Sequence, residues 1–300
     1  MLPFTLAVAL LAGGLVSADI TSIKHPGTSY TSEQIEEYKA NVESGKYQSV
    51  SLPFTKSLIY NGFAGKEPWA SAYDSLLSLA DPEYKMKGPG AKIGRKSGDG
   101  QIETWSTYWE SDGEMLDALG MAYSINGEEA YAGKIVEIVN AWSETLEEVV
   151  NKDNIMVVWR GRQFANAAEM VYHLNGGSWP SGEDDYKRAQ SMVSNILLPA
   201  AYGAGNLDLD QPAAGGGQAV MGHTAGLMFA VFTNNVTGFN QELEILSAPR
   251  VCEGFGGGGL QAMFLPSTGQ NAESGRDQTH SGIEVGFSEQ AAWVAANQGK

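Results

Sequence analysis

The chain has 300 residues, an ordinary hydrophobic content of 43%, and a formal net charge of −16 at pH 7. This length and composition support a sizeable folded core, which argues against an intrinsically disordered protein. The acidic balance argues against nucleic acid as a partner, because binding to phosphates depends on Lys and Arg. No lysine-rich amphipathic segment is present, so a membrane surface is not an expected partner either.

Residues 1–18 have the pattern of a secretory signal peptide. They carry no charged side chain, contain an apolar run from Phe4 to Leu15, and end in the small residues Val16-Ser17-Ala18, as a signal-peptidase site requires. The run is short for a membrane span, and the alternative is a buried N-terminal helix. We therefore predict a secreted, extracellular protein.

Two further features concern a secreted chain. Cys252 is the only cysteine, which excludes an intramolecular disulfide. Asn235-Val236-Thr237 is an acceptor sequence for N-glycosylation. We expect a monomeric glycoprotein.

Residues 19–67 are polar and are predicted to form an N-terminal arm with one helix, capped by Ser32. From residue 68 to residue 300, helical patterns follow one another, and the clearest places Ile135, Ile138, Val139 and Trp142 on one stripe. The predicted helices are EPWASAYDSLLSLA, STYWESDGEMLDALGMAYSIN, EEAYAGKIVEIVNAWSETLEEVV, GRQFANAAEMVYHL, GEDDYKRAQSMVSNILLPAAYG, AVMGHTAGLMFAVF, NQELEILSAPRV and IEVGFSEQAAWVAANQG.

Strand signals are confined to Met156–Trp159 and Leu260–Leu265. Helical hairpins joined by Gly-rich turns predict an all-α domain over residues 68–300, either a toroid or an irregular bundle.

Several kinds of site are not indicated. The sequence has no GxGxxG beside a strand, no Walker motif and no HExxH. The four histidines, His25, His173, His223 and His280, are widely spaced, so neither a metal site nor a cofactor is expected.

Two groups of residues admit a structural or a functional interpretation. Asn140, Asn166 and Glu169 lie on largely apolar helices, where buried and hydrogen-bonded side chains are the favoured interpretation. Trp105, Tyr108 and Trp109 lie together before a helical pair, where aromatic rings either stack on sugars or pack in a core.

The segment ESGRDQTHSG, residues 273–282, concentrates groups that handle protons. Glu273, Arg276, Asp277 and His280 lie at three- and four-residue spacing, and the structural alternative is an ion-pair network at a solvated helix start. The histidine and the dense hydroxyls favour a functional site over that network.

In chain order, YSINGEEAYAGKIVEIVNAWSETLEEV, RGRQFANAAEMV, AGLMFAVFTNN and GQNAESGRDQTHSG resemble the alginate-lyase superfamily of polysaccharide lyases, in the branch that carries Glu-Ser-Gly-Arg-Asp-Gln-x-His. The resemblance runs from about Pro68 to Lys300. It implies a secreted, incomplete (α/α) toroid that cleaves an anionic uronic-acid polymer, such as alginate or glucuronan, by β-elimination.

Such a lyase removes the C5 proton of the uronate and expels the C4 oxygen. Arg276 suits neutralisation of the substrate carboxylate, and His280 suits the base. Asp277 would orient that histidine, and Gln278 would donate to the carboxylate. Tyr108 and Tyr172 are candidate acids.

The remaining expected substrate contacts follow from the same implied activity. They are Glu273, Arg160, Arg162, Trp105 and Trp109.

The chain departs from the family pattern in two places. Where the family has an asparagine at the entry to a helix, this chain has Gly215-Gly216-Gly217-Gln218, so Gln218 is the expected replacement. The family domain continues with further helices, so the toroid is expected to lack closing hairpins and to be truncated at its C-terminus.

A chain of this net charge must gather a local basic cleft to bind a polyanion. The residues expected to supply it are Lys85, Lys87, Lys92, Arg95, Lys96, Arg160, Arg162 and Arg276. Two other functions remain open: a non-catalytic glycan-binding or degenerate relative, and a glycoside hydrolase that uses Glu273 or Asp277.

Overall fold

The structure, a computed structural model, describes residues 19–44, 75–94, 105–150, 154–205, 217–247, 259–265 and 267–300. The predicted signal peptide, the first part of the helix predicted from residue 67, Arg95, Lys96 and Cys252 lie outside these ranges. The statements below concern the described residues.

The described part of the chain is mostly helical, and residues 75–79 are helical in addition to the helices labelled below. Its helices are α1 (Ser32–Ser44), α2 (Ser106–Asn126), α3 (Glu129–Thr145), α4 (Asn154–Leu174), α5 (Glu183–Met192), α6 (Leu198–Gly205), α7 (Gly217–Phe232), α8 (Val236–Ser247), α9 (Leu260–Met263) and α10 (Gln278–Asn297). A π-helical turn (Val193–Leu197) joins α5 to α6. Two short parallel strands, β1 (Lys92–Ile93) and β2 (Glu148–Val149), pair in register Lys92↔Glu148.

Local chemistry explains several of the helix boundaries. At α1 the cap is Thr31 and not Ser32: Gln34 N donates to Thr31 Oγ1 while Thr31 N donates to Gln34 Oε1, a reciprocal capping box. Gly127 ends α2 in the left-handed conformation at φ 70°, which glycine adopts without steric cost. Asn235 of the glycosylation sequence accepts from Gly238 N at 2.9 Å and so caps α8.

Four long helices form a row: α2 packs on α4, α4 on α7, and α7 on α10. Helices α2 and α4 run in the same direction, since Gly113 faces Arg160 and Gly120 faces Ala167. Helices α7 and α10 also do so, since Gly217 faces Glu284 and Thr224 donates to Phe287 O. Helices α3, α5, α6 and α8 flank the row. This repeated hairpin arrangement is the all-α, open (α/α) toroid that the sequence predicted.

Large aromatic side chains pack together where α2, α3 and α4 meet. The Trp109 ring stacks on Phe164 with ring centroids 4.0 Å apart and meets Trp142 edge-on at 5.0 Å. Trp142 Nε1 donates to the buried Asp112 at 2.6 Å, and Tyr84 donates to its other oxygen at 2.8 Å. The interpretation of Trp109 as a sugar-binding ring is therefore wrong, because its side chain is fully buried.

The strand predictions also need correction. Met156–Trp159 lies inside α4, because its apolar residues continue the helical pattern of the GRQFANAAEM segment that follows. Leu260–Leu265 begins with the short helix α9, and only Phe264 makes a bridge, to Asn271. Helix α10 begins at Gln278, five residues before the predicted start at Ile283, so His280 lies in its first turn.

The described first part of the predicted N-terminal arm packs on the helices. Ile20 N donates to Asn240 Oδ1 on α8, and Lys24 N donates to Gln298 Oε1 beyond α10. Trp293 Nε1 donates to Ser29 O at 2.7 Å. Among the described helices, none has the length and apolar character needed to cross a membrane.

Replacing Trp109 with alanine tests its structural role. We expect the free energy of unfolding to fall by about 3–5 kcal/mol, because the substitution leaves a cavity against Phe164 and Trp142. Denaturant unfolding measures this loss. The control is Leu79→Ala, since Leu79 is 63% exposed and its truncation should change stability by less than about 0.5 kcal/mol. Equal losses in the two variants would contradict the assignment.

Candidate functional site

The start of α10 holds His280 in a defined orientation. Asp277 is the N-cap, and its Oδ1 accepts from His280 N at 2.9 Å. Its Oδ2 lies 2.6 Å from His280 Nδ1. If Nδ1 donates to this carboxylate, Nε2 carries the lone pair. The imidazole is 39% exposed, so it can reach a substrate.

The carboxylate that orients His280 stays ionised. The backbone N–H of His280 is the main cause that lowers the pKa of Asp277 below its usual value, and the imidazole of His280 adds to the effect. An ionised Asp277 both caps the helix and stabilises a protonated His280. The pair therefore has the geometry of a general base with its orienting group.

Arg276 is available to an anionic ligand. Its guanidinium is 55% exposed and lies 3.6 Å from Glu273 Oε2, too long for a strong hydrogen bond. An exposed pair of this kind contributes little to stability. Arg276 can therefore exchange this contact for a substrate carboxylate.

The buried side chain of Glu284 supports the 273–282 segment. The sequence did not lead us to predict this role. Its side chain is fully buried, and its Oε2 accepts from Glu273 N at 3.1 Å. Burial is the main cause that raises the pKa of Glu284, and the Glu273 carboxylate raises it further. An acidic residue on the otherwise apolar stripe of α10 was the available signal.

The start of α7 meets the same motif. Gly217 N donates to Glu273 Oε1 at 3.5 Å, and a Cβ at position 217 would lie 3.8 Å from Glu284 and Ile283. The partial positive charge of the helix N-terminus thus faces Glu273. Gln218, the expected replacement for the family's asparagine, is half-buried in this turn of α7.

A groove of about 800 Å³ runs along α10, between the N-terminal arm and α4. Its walls combine aromatic rings with one arginine: they include Tyr30, Trp159, Arg162, Phe287 and Trp293. Aromatic faces stack on sugar rings, and a guanidinium recognises a carboxylate. The groove therefore has the composition of a site for an acidic carbohydrate.

Arg162 is held against the groove wall by two contacts. Its Nη1 donates to Gln290 Oε1 at 3.0 Å, and its Cζ lies 5.0 Å from the centre of the Phe287 ring. Burial lowers the pKa of Arg162, while the charge of Asp117 opposes this shift. Its ordinary pKa is so high that the guanidinium remains charged at neutral pH.

The predicted site residues divide into three groups in space. Arg162 and Gln278 line the groove, as do Thr279 and Ser281, the chain neighbours of His280, whereas the side chain of His280 is not among the lining residues. Glu273, Arg276 and Asp277 lie in the turns before α10.

The third group lies elsewhere. Trp105 packs its ring over Gly90, and Tyr108 lies under Lys87, at 5.9 Å from the ring centre. Neither of these residues, nor Arg160, is among those that line the groove.

The predicted basic cleft is only partly formed. Arg160 pairs with Glu114, and Lys92 pairs with Glu148 at 2.8 Å, so each of these charges has a carboxylate partner. Of the expected cations in the described ranges, Arg162 lines the groove and Arg276 lies three residues before Thr279 of its wall. The expectation that Arg160 and Lys92 form a basic cleft is not supported.

The polar residues of α3 and α4 have structural partners. Asn140 Oδ1 accepts from Trp179 Nε1 at 3.1 Å, and Asn166 Oδ1 accepts from Thr28 Oγ1 at 2.9 Å. Glu169 accepts from the backbone N–H groups of Gly27 and Thr28. The structural interpretation of these residues is confirmed.

Solved structures share this architecture. Alginate lyase A1-III from Sphingomonas species A1 superposes with a TM-score of 0.61 at 13% identity, over 93% of this chain and 73% of that one. A Tyr-to-Phe variant of alginate lyase A1-III complexed with a tetrasaccharide gives 0.56 at 15% identity, over 93% and 73%. A His-to-Ala variant complexed with a tetrasaccharide gives 0.57 at 13% identity, over 93% and 72%.

The chain has the fold of alginate lyase A1-III. No family model and no curated protein matches the sequence. At this level of identity the likeness concerns the arrangement of the helices alone.

Glu284→Gln tests the buried carboxylate beneath the motif. A carboxyl group with a raised folded pKa contributes stability that is complete below the unfolded value of 4.5 and is lost as pH rises through the folded pKa. We expect the variant to be more stable than the parent at neutral pH and to lose this advantage under acid conditions. Urea unfolding over a pH series measures the difference.

The matched control for this test is Glu244→Gln, which removes the same charge from an exposed position on α8. If the effect came from the change in net charge alone, the free energy of unfolding of both variants would depend on pH in the same way. That result would contradict a burial effect at Glu284.

Proposed function

We propose that the protein is a polysaccharide lyase that cleaves a uronic-acid polymer of the alginate or glucuronan type by β-elimination. The observation that carries the proposal is the His280–Asp277 pair at the start of α10, the helix that forms one wall of an aromatic groove that contains Arg162. The shared fold with alginate lyase A1-III supports the same reaction class. The motif Glu-Ser-Gly-Arg-Asp-Gln-x-His, at residues 273–280, is the proposed signature of its branch.

The residues fit the steps of an elimination. The C5 proton passes to His280 Nε2, and the electron pair of the C5–H bond forms a C4–C5 double bond as the C4–O bond breaks. Charge that develops on the uronate carboxylate is stabilised by Arg276, with Gln278 and Gln218 as amide donors. Asp277 holds the imidazole and stabilises it when protonated.

Tyr30 is the candidate that we propose as the acid for the leaving C4 oxygen. It lines the groove, whereas Tyr108 does not. Tyr172 donates to Glu183 at 3.2 Å and stacks on Tyr186 at 3.9 Å, so it belongs to a different cluster. The acid would therefore come from the N-terminal arm and the base from α10.

The groove accounts for binding of a sugar chain. Trp159 and Phe287 meet edge-on at 6.0 Å, and Trp293 is held by its hydrogen bond to Ser29. The partly exposed rings of Trp159 and Trp293 offer stacking surfaces with little loss of side-chain entropy on binding. Arg162 would pair with a uronate carboxylate in a position next to the cleaved bond.

His280→Ala and Arg276→Ala test the proposed chemistry. We expect each to lower kcat on alginate or glucuronan by at least about 100-fold, because the base or the neutralising charge is lost. Ultraviolet absorbance of the unsaturated product measures the rate. The control is Arg188→Ala, since Arg188 pairs with Glu144 on the outer helices. Full activity in both site variants would show that the assigned site is wrong.

Arg162→Met tests the groove as the binding site. We expect KM for an oligouronate to rise about 10- to 100-fold with a smaller change in kcat, because a charged hydrogen bond to the substrate is lost. Arg160→Met is the matched control, two residues away on α4 and paired with Glu114. Equal effects of the two substitutions would contradict the placement of the substrate. Circular dichroism verifies that both variants are folded.

A non-catalytic glycan-binding protein is the second candidate. The pairing of Arg160 and Lys92 with carboxylates favours it, because it leaves less positive charge for a polyanionic transition state. Calorimetric binding of oligouronates without any unsaturated product would establish this function. New reducing ends without ultraviolet absorbance would instead indicate a glycoside hydrolase.

Secretion and N-glycosylation at Asn235 remain predictions. The first rests on residues 1–18 and the second on the acceptor tripeptide. Both fit an extracellular polysaccharide as the substrate.

A further inference from the structure

Two histidines and a buried glutamate meet where the N-terminal arm crosses α4. His25 comes from the arm, and Glu169 and His173 lie one helical turn apart on α4. One ligand atom from each residue lies within 4.8 Å of the other two. The sequence reasoning treated the histidines as too widely spaced for a metal, but the fold brings two of the four together.

We propose that His25, Glu169 and His173 form a binding site for a divalent transition metal, with Zn²⁺ as the best fit, that fastens the N-terminal arm to α4. Two imidazoles and one carboxylate are a donor set that Zn²⁺ accepts, with water in the remaining position. His25 and His173 are partly exposed, so the metal and this water can enter.

The distances are close to those of a coordination sphere. His25 Nδ1 lies 2.9 Å from Glu169 Oε1. Zn²⁺ bonds of about 2.0–2.1 Å place neighbouring ligand atoms roughly 3 Å apart. The two imidazole rings stack at 4.5 Å with an interplanar angle of 7°. The proposed site requires the two imidazoles to rotate out of this stack, so that one nitrogen of each turns towards a common point.

The surroundings of the carboxylate also suit a metal. Glu169 is fully buried, and its Oε2 accepts from Thr28 N at 2.8 Å. This contact orients the carboxylate, as the outer partners of metal ligands do, and Oε1 faces His25 while it also accepts from Gly27 N at 3.2 Å.

The site has a consequence for the groove. Ser29 and Tyr30 follow His25 by a few residues and line the groove. A metal on His25 would hold this part of the arm against α4. The inference concerns binding and stability, and it stands whether or not the protein is a lyase.

Zinc and cobalt titrations of the tag-free mature chain test the proposal. We expect stoichiometric Zn²⁺ to raise the thermal unfolding midpoint, and Co²⁺ to produce visible absorption bands typical of nitrogen and oxygen ligation. Both signals should disappear in His25→Ala and in His173→Gln. They should persist in His280→Ala, which removes one histidine from outside the cluster.

The His173→Gln variant tests whether a lost metal response could result from a loss of folding. Among the contacts described for it, His173 packs its ring on His25 and Tyr172, and the bonds from Glu169 to the arm do not involve it. Circular dichroism of each metal-free variant verifies the fold. No zinc response in the parent protein, or an unchanged response in either cluster variant, would overturn the site.

Discussion

The buried carboxylate of Glu169 is the contact on which the candidate site depends. It accepts hydrogen bonds from Gly27 N and Thr28 N and contacts His25 Nδ1 at 2.9 Å, all from the N-terminal arm. A buried carboxylate is tolerated only when such donors replace water. These bonds lay the next residues, Ser29 and Tyr30, along α10, and the groove exists because the arm forms one of its walls. The Glu169 side chain on α4 therefore shapes the groove that runs along a different helix, α10.

A second constraint places the motif itself. Helix α7 is buried along almost its whole length, and its first turn abuts α10 at Glu284. Glu284 in turn accepts from the backbone of Glu273, which fixes the turns that carry Arg276 and Asp277. The exposed side chains of Arg276 and Asp277 are thus carried by turns that the buried Glu284 holds through a hydrogen bond. This combination would give the proposed site the fixed geometry that general acid–base chemistry requires.

Helical periodicity was strong enough in the sequence to predict most of the fold. The stripe of Ile135, Ile138, Val139 and Trp142 predicted α3, and Gly127 marked the end of α2. Met156–Trp159 was misassigned because a short apolar run has no period of its own, and the helix that follows it decided its conformation. The 273–282 segment was predicted to be a site, but the groove residues Trp159, Phe287 and Trp293 were not predicted, because they come from apolar stripes that look like core.

The sequence by itself determined the all-α hairpin architecture and the local chemistry of the 273–282 segment, because both depend on residues close together in the chain. Asp277 could be expected beside His280 for the same reason. Only the tertiary structure decided that Trp109 is core, that Arg162 faces the groove while Arg160 pairs with Glu114, and that His25 meets His173. These outcomes depend on contacts between residues far apart in the chain, and side chains two positions apart on a helix point to different neighbours.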